Sequence, residues 1–243
     1  MTRFCSRNLG LRDSEDVKSR STSLVFIHGF LGNPNDWDPI TKELEAPFKC
    51  LTLPGHCDAP LDLASFEKEI PEGAILVGYS MGGRLAMQFA HKFPEKVGGL
   101  VILSANPGLE TGVEERLIQD EKWATLLEKD FDAFLEAWYA QPLFGYKRNR
   151  EGHDPKRLAK VMRALSPAKL PNLWPHLKNF PCPLVFLFGE NDIKYRSIGN
   201  RLRKHFEVVF VPDARHAIHL EQPEIILNEL SCRTRMEDFW GVH

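Results

Sequence analysis

Ser80 lies in the run Gly78-Tyr79-Ser80-Met81-Gly82, with the apolar segment 74–77 before it and an amphipathic segment from 83 to 92 after it. Gly-x-Ser-x-Gly entered from a strand and left by a helix is a nucleophile elbow: the turn is too tight for side chains at the two glycines, and it exposes a strained serine hydroxyl. The five residues alone are a common turn composition; the flanking strand and helix give them weight. A serine hydroxyl needs a base, and the base needs an orienting group. Two later apolar runs end in such groups. Residues 184–188 lead into Gly189-Glu190-Asn191-Asp192, and 208–211 lead into Pro212-Asp213-Ala214-Arg215-His216-Ala217-Ile218-His219. His216 is the preferred base because it comes first after its strand, whereas His219 opens the following amphipathic stretch and is placed to pack or cap it. Asp192 is the preferred carboxylate. Glu190 lies closer to the strand end, and Asp213 is too near His216 in sequence to orient it naturally.

Strands are needed at 24–28, 49–53, 74–77, 100–103, 184–188 and 207–211 to carry these groups. Their alternation with amphipathic segments predicts an α/β fold with a mostly parallel sheet and helices on both faces. Open parallel sheets place their sites beyond the C-terminal strand ends. The chain order Ser, Asp, His resembles that of the α/β-hydrolase fold. That resemblance also gives a role to the run ending in His28-Gly29-Phe30: the loop after such a strand donates one backbone N–H to an oxyanion hole, and the residue after the serine donates the other. Here those donors are Phe30 and Met81.

At 243 residues, 43% hydrophobic and with a formal net charge of −2, the chain has the balance of one large α/β domain with an insertion. Nothing in that balance points to nucleic acid or to a membrane surface. No eighteen-residue apolar run is present, and the N-terminal residues lack the apolar core of a secretory signal. Cys5, Cys50, Cys57, Cys182 and Cys232 are odd in number and scattered. They suggest neither a disulfide framework nor a zinc site, and a cytoplasmic location is expected. Cys57, in a loop after Pro54-Gly55-His56, reads as a bystander thiol. The polar stretch 12–23 leaves room only for a late start or short first strands. The tail 236–243 is either the end of the last helix or a loose extension.

The alternation stops after 104 and resumes at 183. Between 108 and 180, Leu117, Trp123, Leu126, Leu127, Phe131, Phe134, Leu135 and Trp138 recur at spacings of three and four, which predicts helices. The expected division is a core of 1–107 and 181–243 with a helical cap of 108–180 over Ser80. Within the cap, 146–163 carries Lys147, Arg148, Arg150, Lys156, Arg157, Lys160 and Arg163 against Glu151 and Asp154; a charge run of this kind is ordinarily a solvated face. Arg84, one turn past Ser80, and Arg116, near the mouth, stand apart. Arginine binds carboxylates in a bidentate way and keeps its charge when partly buried. Arginines around a serine point to a small anionic substrate, a polycarboxylate.

Gly78-Tyr79-Ser80-Met81-Gly82-Gly83-Arg84, Pro107-Gly108-Leu109, Glu114-Glu115-Arg116, Trp138-Tyr139 with Gln141-Pro142, and Gly189-Glu190-Asn191-Asp192 with Lys194-Tyr195-Arg196 together give a more specific likeness. Over nearly all of the chain after Ser23, the sequence resembles the 2-succinyl-6-hydroxy-2,4-cyclohexadiene-1-carboxylate synthases of menaquinone biosynthesis. The resemblance implies Ser80, Asp192 and His216 as a triad, and Arg84, Arg116 and Arg163 as carboxylate-binding positions. It places Tyr79, Trp138 and Tyr139 around the pocket and requires no metal or organic cofactor. Two positions depart from the family: Arg215 before His216, and Cys57 after Pro54-Gly55-His56, both where glycine is usual. The implied reaction is elimination of pyruvate with Ser80 as base. A serine hydrolase working through an acyl-enzyme, an esterase or carbon–carbon hydrolase, accounts for the triad but not for the arginines. A non-catalytic receptor on the same fold is the third reading, and intact candidates for all three triad members and the oxyanion loop count against it. Oligomeric state is not legible.

Overall fold

The computed structural model describes residues 23–144 and 152–235; the expectations for 12–22, for Lys147, Arg148, Arg150 and Glu151, and for the tail 236–243 lie outside them. The strands are β1 (Leu24–Ile27), β2 (Phe48–Leu51), β3 (Ala74–Tyr79), β4 (Val97–Leu103), β5 (Leu184–Gly189) and β6 (Glu207–Val211). They form one parallel sheet in the order β2-β1-β3-β4-β5-β6. Because the central strands β1, β3, β4 and β5 are covered on both faces, successive residues of one strand serve different cores. Val25, Ile27, Leu76, Leu100, Ile102, Phe186 and Phe188 face one cluster, together with Met81, Leu85, Ala86 and Phe89 of α3 (Met81–Lys92), which follows the short helices α1 (Asp38–Thr41) and α2 (Leu63–Lys68). Leu24, Phe26, Ile75, Val77, Val101, Leu103, Val185 and Leu187 face the other, which is closed by Trp37, Ile40, Ile226 and Leu230.

Two strand ends differ from the sequence expectation for identifiable reasons. β2 stops at Leu51 rather than 53 because the Leu53 amide turns away from the ladder and donates to Nε2 of His28. β4 starts at Val97 rather than 100. The Gly98-Gly99 pair hid its beginning, yet Gly98 is needed there: a Cβ on it would lie 2.6 Å from the Gly73 carbonyl oxygen.

Three helices lie between β4 and β5: α4 (Val113–Lys129), α5 (Phe131–Tyr139) and α6 (Pro155–Ala164). Asp130 and Asp154 cap α5 and α6 by accepting from amides of the first turn, Ala133 for one and Lys156 and Arg157 for the other. Their common core is Leu127, Phe134, Leu135, Leu158, Ala159 and Met162, joined by Leu31 of the sheet region. Leu117, part of the expected apolar stripe, is exposed at the start of α4. The segment 165–180 forms turns and a 3-10 helix (Trp174–Asn179) rather than a further α-helix.

The chain leaves β1 for β2 on one side and crosses back to β3 on the other. The crevice at the C-terminal ends of β1 and β3 is therefore the switch point where open parallel sheets bind ligands. Ser80 follows β3 and Phe30 follows β1.

Candidate active site

Ser80 takes φ 51° and ψ −108°, a conformation that L-residues rarely adopt. Its amide is tied to the Leu103 carbonyl at 2.9 Å and its carbonyl to the Arg84 amide at 3.1 Å, so the surrounding backbone holds the strain. The glycines are required by space. A Cβ on Gly78 would lie 2.7 Å from Cα of Gly83, and one on Gly82 would run into the carbonyls of Ile27 and His28.

The strand ends bring three polar side chains together. Ser80 Oγ lies 3.1 Å from His216 Nε2, and His216 Nδ1 lies 2.7 Å from Asp192 Oδ2. The other Asp192 oxygen accepts from the Tyr195 amide at 3.1 Å, capping α7 (Ile193–Leu202) and fixing the carboxylate. A buried carboxylate facing Nδ1 makes Nδ1 the protonated nitrogen, which leaves Nε2 as the acceptor for the serine proton. The rings of Tyr79 and Tyr195 flank the imidazole at 5.4 and 4.5 Å between centroids. The His216 amide donates to the Leu143 carbonyl at 3.2 Å. Arg215 donates from its amide to Glu221 and from its guanidinium to the Phe144 carbonyl, a link that a glycine at this position lacks. Of the rival groups, Glu190 and Asp213 are exposed, and His219 is buried between Trp37 and Tyr79.

Ser80 opens into a cavity of about 280 Å³ lined by Phe30, Tyr79, Met81, Arg84, Arg116, Trp138 and His216 among others. Met81 is the first residue of α3, so its amide belongs to the helix end whose N–H groups lack intrahelical acceptors. Arg84 is only 9% exposed; its side chain makes no hydrogen bond or ion pair among the described residues, and its Nε is buried without a partner. Burial pushes its guanidinium down to about 10; Arg116 adds to that displacement, while Tyr195 and Asp120 oppose it. A buried guanidinium without a side-chain partner beside a serine has the chemistry to bind an anion. Arg116 reaches the same cavity, with its Nε on both oxygens of buried Asp120 at 2.8 and 2.9 Å.

Arg163 and Tyr139 do not line this cavity. Arg163 sits on the outer side of α6 in a four-bond clamp with Glu121 and Glu128 of α4, which raises its pKa by hydrogen bonding and lowers theirs. Tyr139 follows Trp138 by one residue and so points about 100° away around the helix; its ring meets Phe144 instead. Asp120, Gln119, Trp123 and Phe144 line the cavity although sequence reasoning passed over them. The i, i+4 spacing of Arg116 and Asp120 was the available signal for the first. Lys194 and Tyr195 line it as well, from the Lys-Tyr-Arg motif after β5. Burial pushes the Cys57 thiol up, with Asp58 and Asp36 adding to the effect, which makes it a poor nucleophile.

The model of the alpha/beta hydrolase family matches residues 24–229. The 2-succinyl-6-hydroxy-2,4-cyclohexadiene-1-carboxylate synthase of Serratia proteamaculans is 31% identical, the match covering 85% of this chain and 91% of that protein. The chloroplastic protein PHYLLO of Arabidopsis thaliana is 28% identical over 88% of this chain, which spans only 15% of that much longer protein. The solved structure of MenH from S. aureus superposes with a TM-score of 0.81 at 24% identity, over 90% of this chain and 95% of that one, which shows a shared fold. The chain belongs to the alpha/beta hydrolase family and, within it, to the 2-succinyl-6-hydroxy-2,4-cyclohexadiene-1-carboxylate synthases.

Proposed function

We propose that the protein is a carbon–oxygen lyase of menaquinone biosynthesis. It converts 2-succinyl-5-enolpyruvyl-6-hydroxy-3-cyclohexene-1-carboxylate into 2-succinyl-6-hydroxy-2,4-cyclohexadiene-1-carboxylate and pyruvate. The observation that carries this reading is Arg84: a buried, unpaired guanidinium one turn from Ser80 has no use in a site for neutral esters, and it suits a substrate bearing several carboxylates.

The steps follow from the bond changes. The ring hydrogen at C2 leaves as a proton, the C2–H pair becomes the 2,3 double bond, the 3,4 π pair shifts to 4,5, and the C5–O pair leaves with the enolpyruvyl group. The departing enolpyruvate takes up a proton to become pyruvate, so no oxidant, reductant or water is consumed. Ser80 removes the C2 proton as His216 Nε2, 3.1 Å away, accepts the serine proton; Asp192 stabilises the imidazolium that forms. C2 carries the succinyl ketone, so negative charge develops on that ketone oxygen. The Phe30 and Met81 amides are the donors assigned to it. Arg84 and Arg116 bind the carboxylates. Helices α4–α6 act as the cap of the expected 108–180 insertion and keep water from the reacting carbon.

A relay of this geometry serves an acyl-enzyme equally well, so esterase chemistry is the second reading. The deciding experiment follows the conjugated diene by ultraviolet absorbance together with released pyruvate. Equal yields of both, abolished in Ser80→Ala and His216→Ala with the fold intact, are expected. Failure to form diene, with rapid turnover of small chromogenic esters, would replace the lyase with a serine hydrolase.

A further inference from the structure

The loops after β1 and β2 are stitched together by three imidazoles that the relay does not use. His28, in the first loop, accepts from the Leu53 amide at Nε2, 3.0 Å; His56, in the second, accepts from the Leu31 amide at Nε2, 3.3 Å. The exchange is reciprocal, each loop lending one imidazole to a backbone N–H of the other. Since an amide can only donate, both Nε2 atoms are unprotonated and both Nδ1 atoms carry the proton. His28 Nδ1 then donates to the Gly29 carbonyl at 2.8 Å and His56 Nδ1 to the Pro54 carbonyl at 3.3 Å. His153, just before α6, bridges the same loops. Its Nε2 lies 3.2 Å from the Leu31 carbonyl, and its Nδ1 accepts from the Cys57 amide at 3.4 Å.

On the side of the first loop, these rings bond to Gly29 and Leu31, the two residues that flank Phe30. The Gly29–Phe30 peptide is planar and trans, so anchoring its carbonyl on His28 aims the Phe30 N–H the opposite way. Leu31 takes φ 62° and Cys57 φ 48°, left-handed conformations that cost a branched or bulky residue energy and persist only when held from outside. His56 and His153 supply that hold at Leu31. The His56 ring also stands edge-on to the Phe30 ring, with 5.6 Å between centroids. Two buried histidines and one half-buried histidine thus bond to the backbone on both sides of Phe30. We infer that His28, His56 and His153 are positioning residues for the Phe30 amide, and that the Nε2 acceptor of His56 is what keeps the Gly29–Phe30–Leu31 turn in its reactive shape. The inference rests on the proposed role of that amide as a donor to developing negative charge.

Asn and Gln at position 56 separate positioning from packing. Gln places an acceptor near the Nε2 position and retains the bond to Leu31, whereas Asn reaches only the Nδ1 position and forfeits it. Both are polar and compatible with the buried loop. His56→Asn is expected to lower kcat about 10²-fold, the scale of a misplaced oxyanion donor, with KM changed less than about threefold because the arginines are untouched. His56→Gln is expected to recover to within about tenfold of wild type. A purely structural histidine would alter melting temperature and folded fraction while leaving kcat per folded molecule alike in the two variants. Equal kcat for Asn and Gln, or a wild-type value in folded His56→Asn, would overturn the inference. The same pair is assayed on p-nitrophenyl acetate, whose carbonyl oxygen needs the same amide. A wild-type enzyme that forms no diene then overturns the lyase reading alone, and the Asn–Gln difference must still appear on the ester.

Discussion

Replacing Arg84 by methionine should make the protein more stable and less active. The side chain is 9% exposed and unpaired, and burial holds its pKa at about 10, below the ordinary guanidinium value. That displacement corresponds to about 3 kcal/mol, at about 1.4 kcal/mol per pKa unit. The sign follows from linkage. A base whose folded pKa is depressed destabilises the fold wherever it is charged, so the full cost applies at neutral pH and is relieved only as pH rises through about 10. Methionine keeps most of the apolar stem and removes the charge. Ligand-free Arg84→Met should therefore gain up to about 3 kcal/mol, seen as a melting temperature several degrees higher, at roughly 2–4 °C per kcal/mol for a chain of this size. The same change removes a charge-assisted carboxylate contact of about 1.5–3 kcal/mol, which lowers kcat/KM by roughly 10- to 150-fold. In the wild type, kcat/KM should also fall as pH passes about 10. Thermal denaturation without ligand, together with the diene assay over a substrate series, measures both halves. A variant that melts lower and keeps wild-type kcat/KM would refute the assignment of Arg84 as an anion receptor and make it a packing residue.

Arg163→Ala tests the displaced member of the arginine set. Its four bonds to Glu121 and Glu128 lie on the outer side of α4 and α6, so KM should stay within about twofold of wild type while the melting temperature falls slightly, as expected for solvent-screened surface pairs; a tenfold rise in KM would restore it to the site. Asp192→Asn should cost about 10⁴-fold in kcat by favouring the wrong imidazole tautomer, with little effect on KM. A loss below tenfold would mean that the 2.7 Å contact to His216 Nδ1 is not what orients the base.

What could be read from the chain depended on how a residue is tied to the turn that carries the chemistry. Ser80, Met81 and Arg84 share one strand–turn–helix unit, so their relative placement follows from local geometry; a residue four positions past the serine lies one turn above it on the same helix face. Asp192 and His216 were legible because strand ends of a parallel sheet converge on one edge. The six strands were legible, and their ends escaped where long-range demands set them, as with Gly98 against Gly73 and Leu53 against His28; β3 also runs on past its apolar stretch to Tyr79. Helices α4–α6 obeyed no comparable rule. Their amphipathic pattern predicts that helices form, but each helix has two faces near polar groups, and sequence does not say which looks inward. Arg116 and Arg163 illustrate the difference. Both stand on cap helices among acidic neighbours, yet Arg116 lines the cavity with buried Asp120 while Arg163 binds Glu121 and Glu128 outside it. Asp120 and Glu121 are adjacent in sequence and about 100° apart around α4, and that rotation separates an arginine facing the serine from one that fastens two helices together. Which arginine lines the cavity therefore depends on how α4 is rolled against α5 and α6, a tertiary quantity fixed by the packing of Leu127, Phe134 and Met162 rather than by any motif.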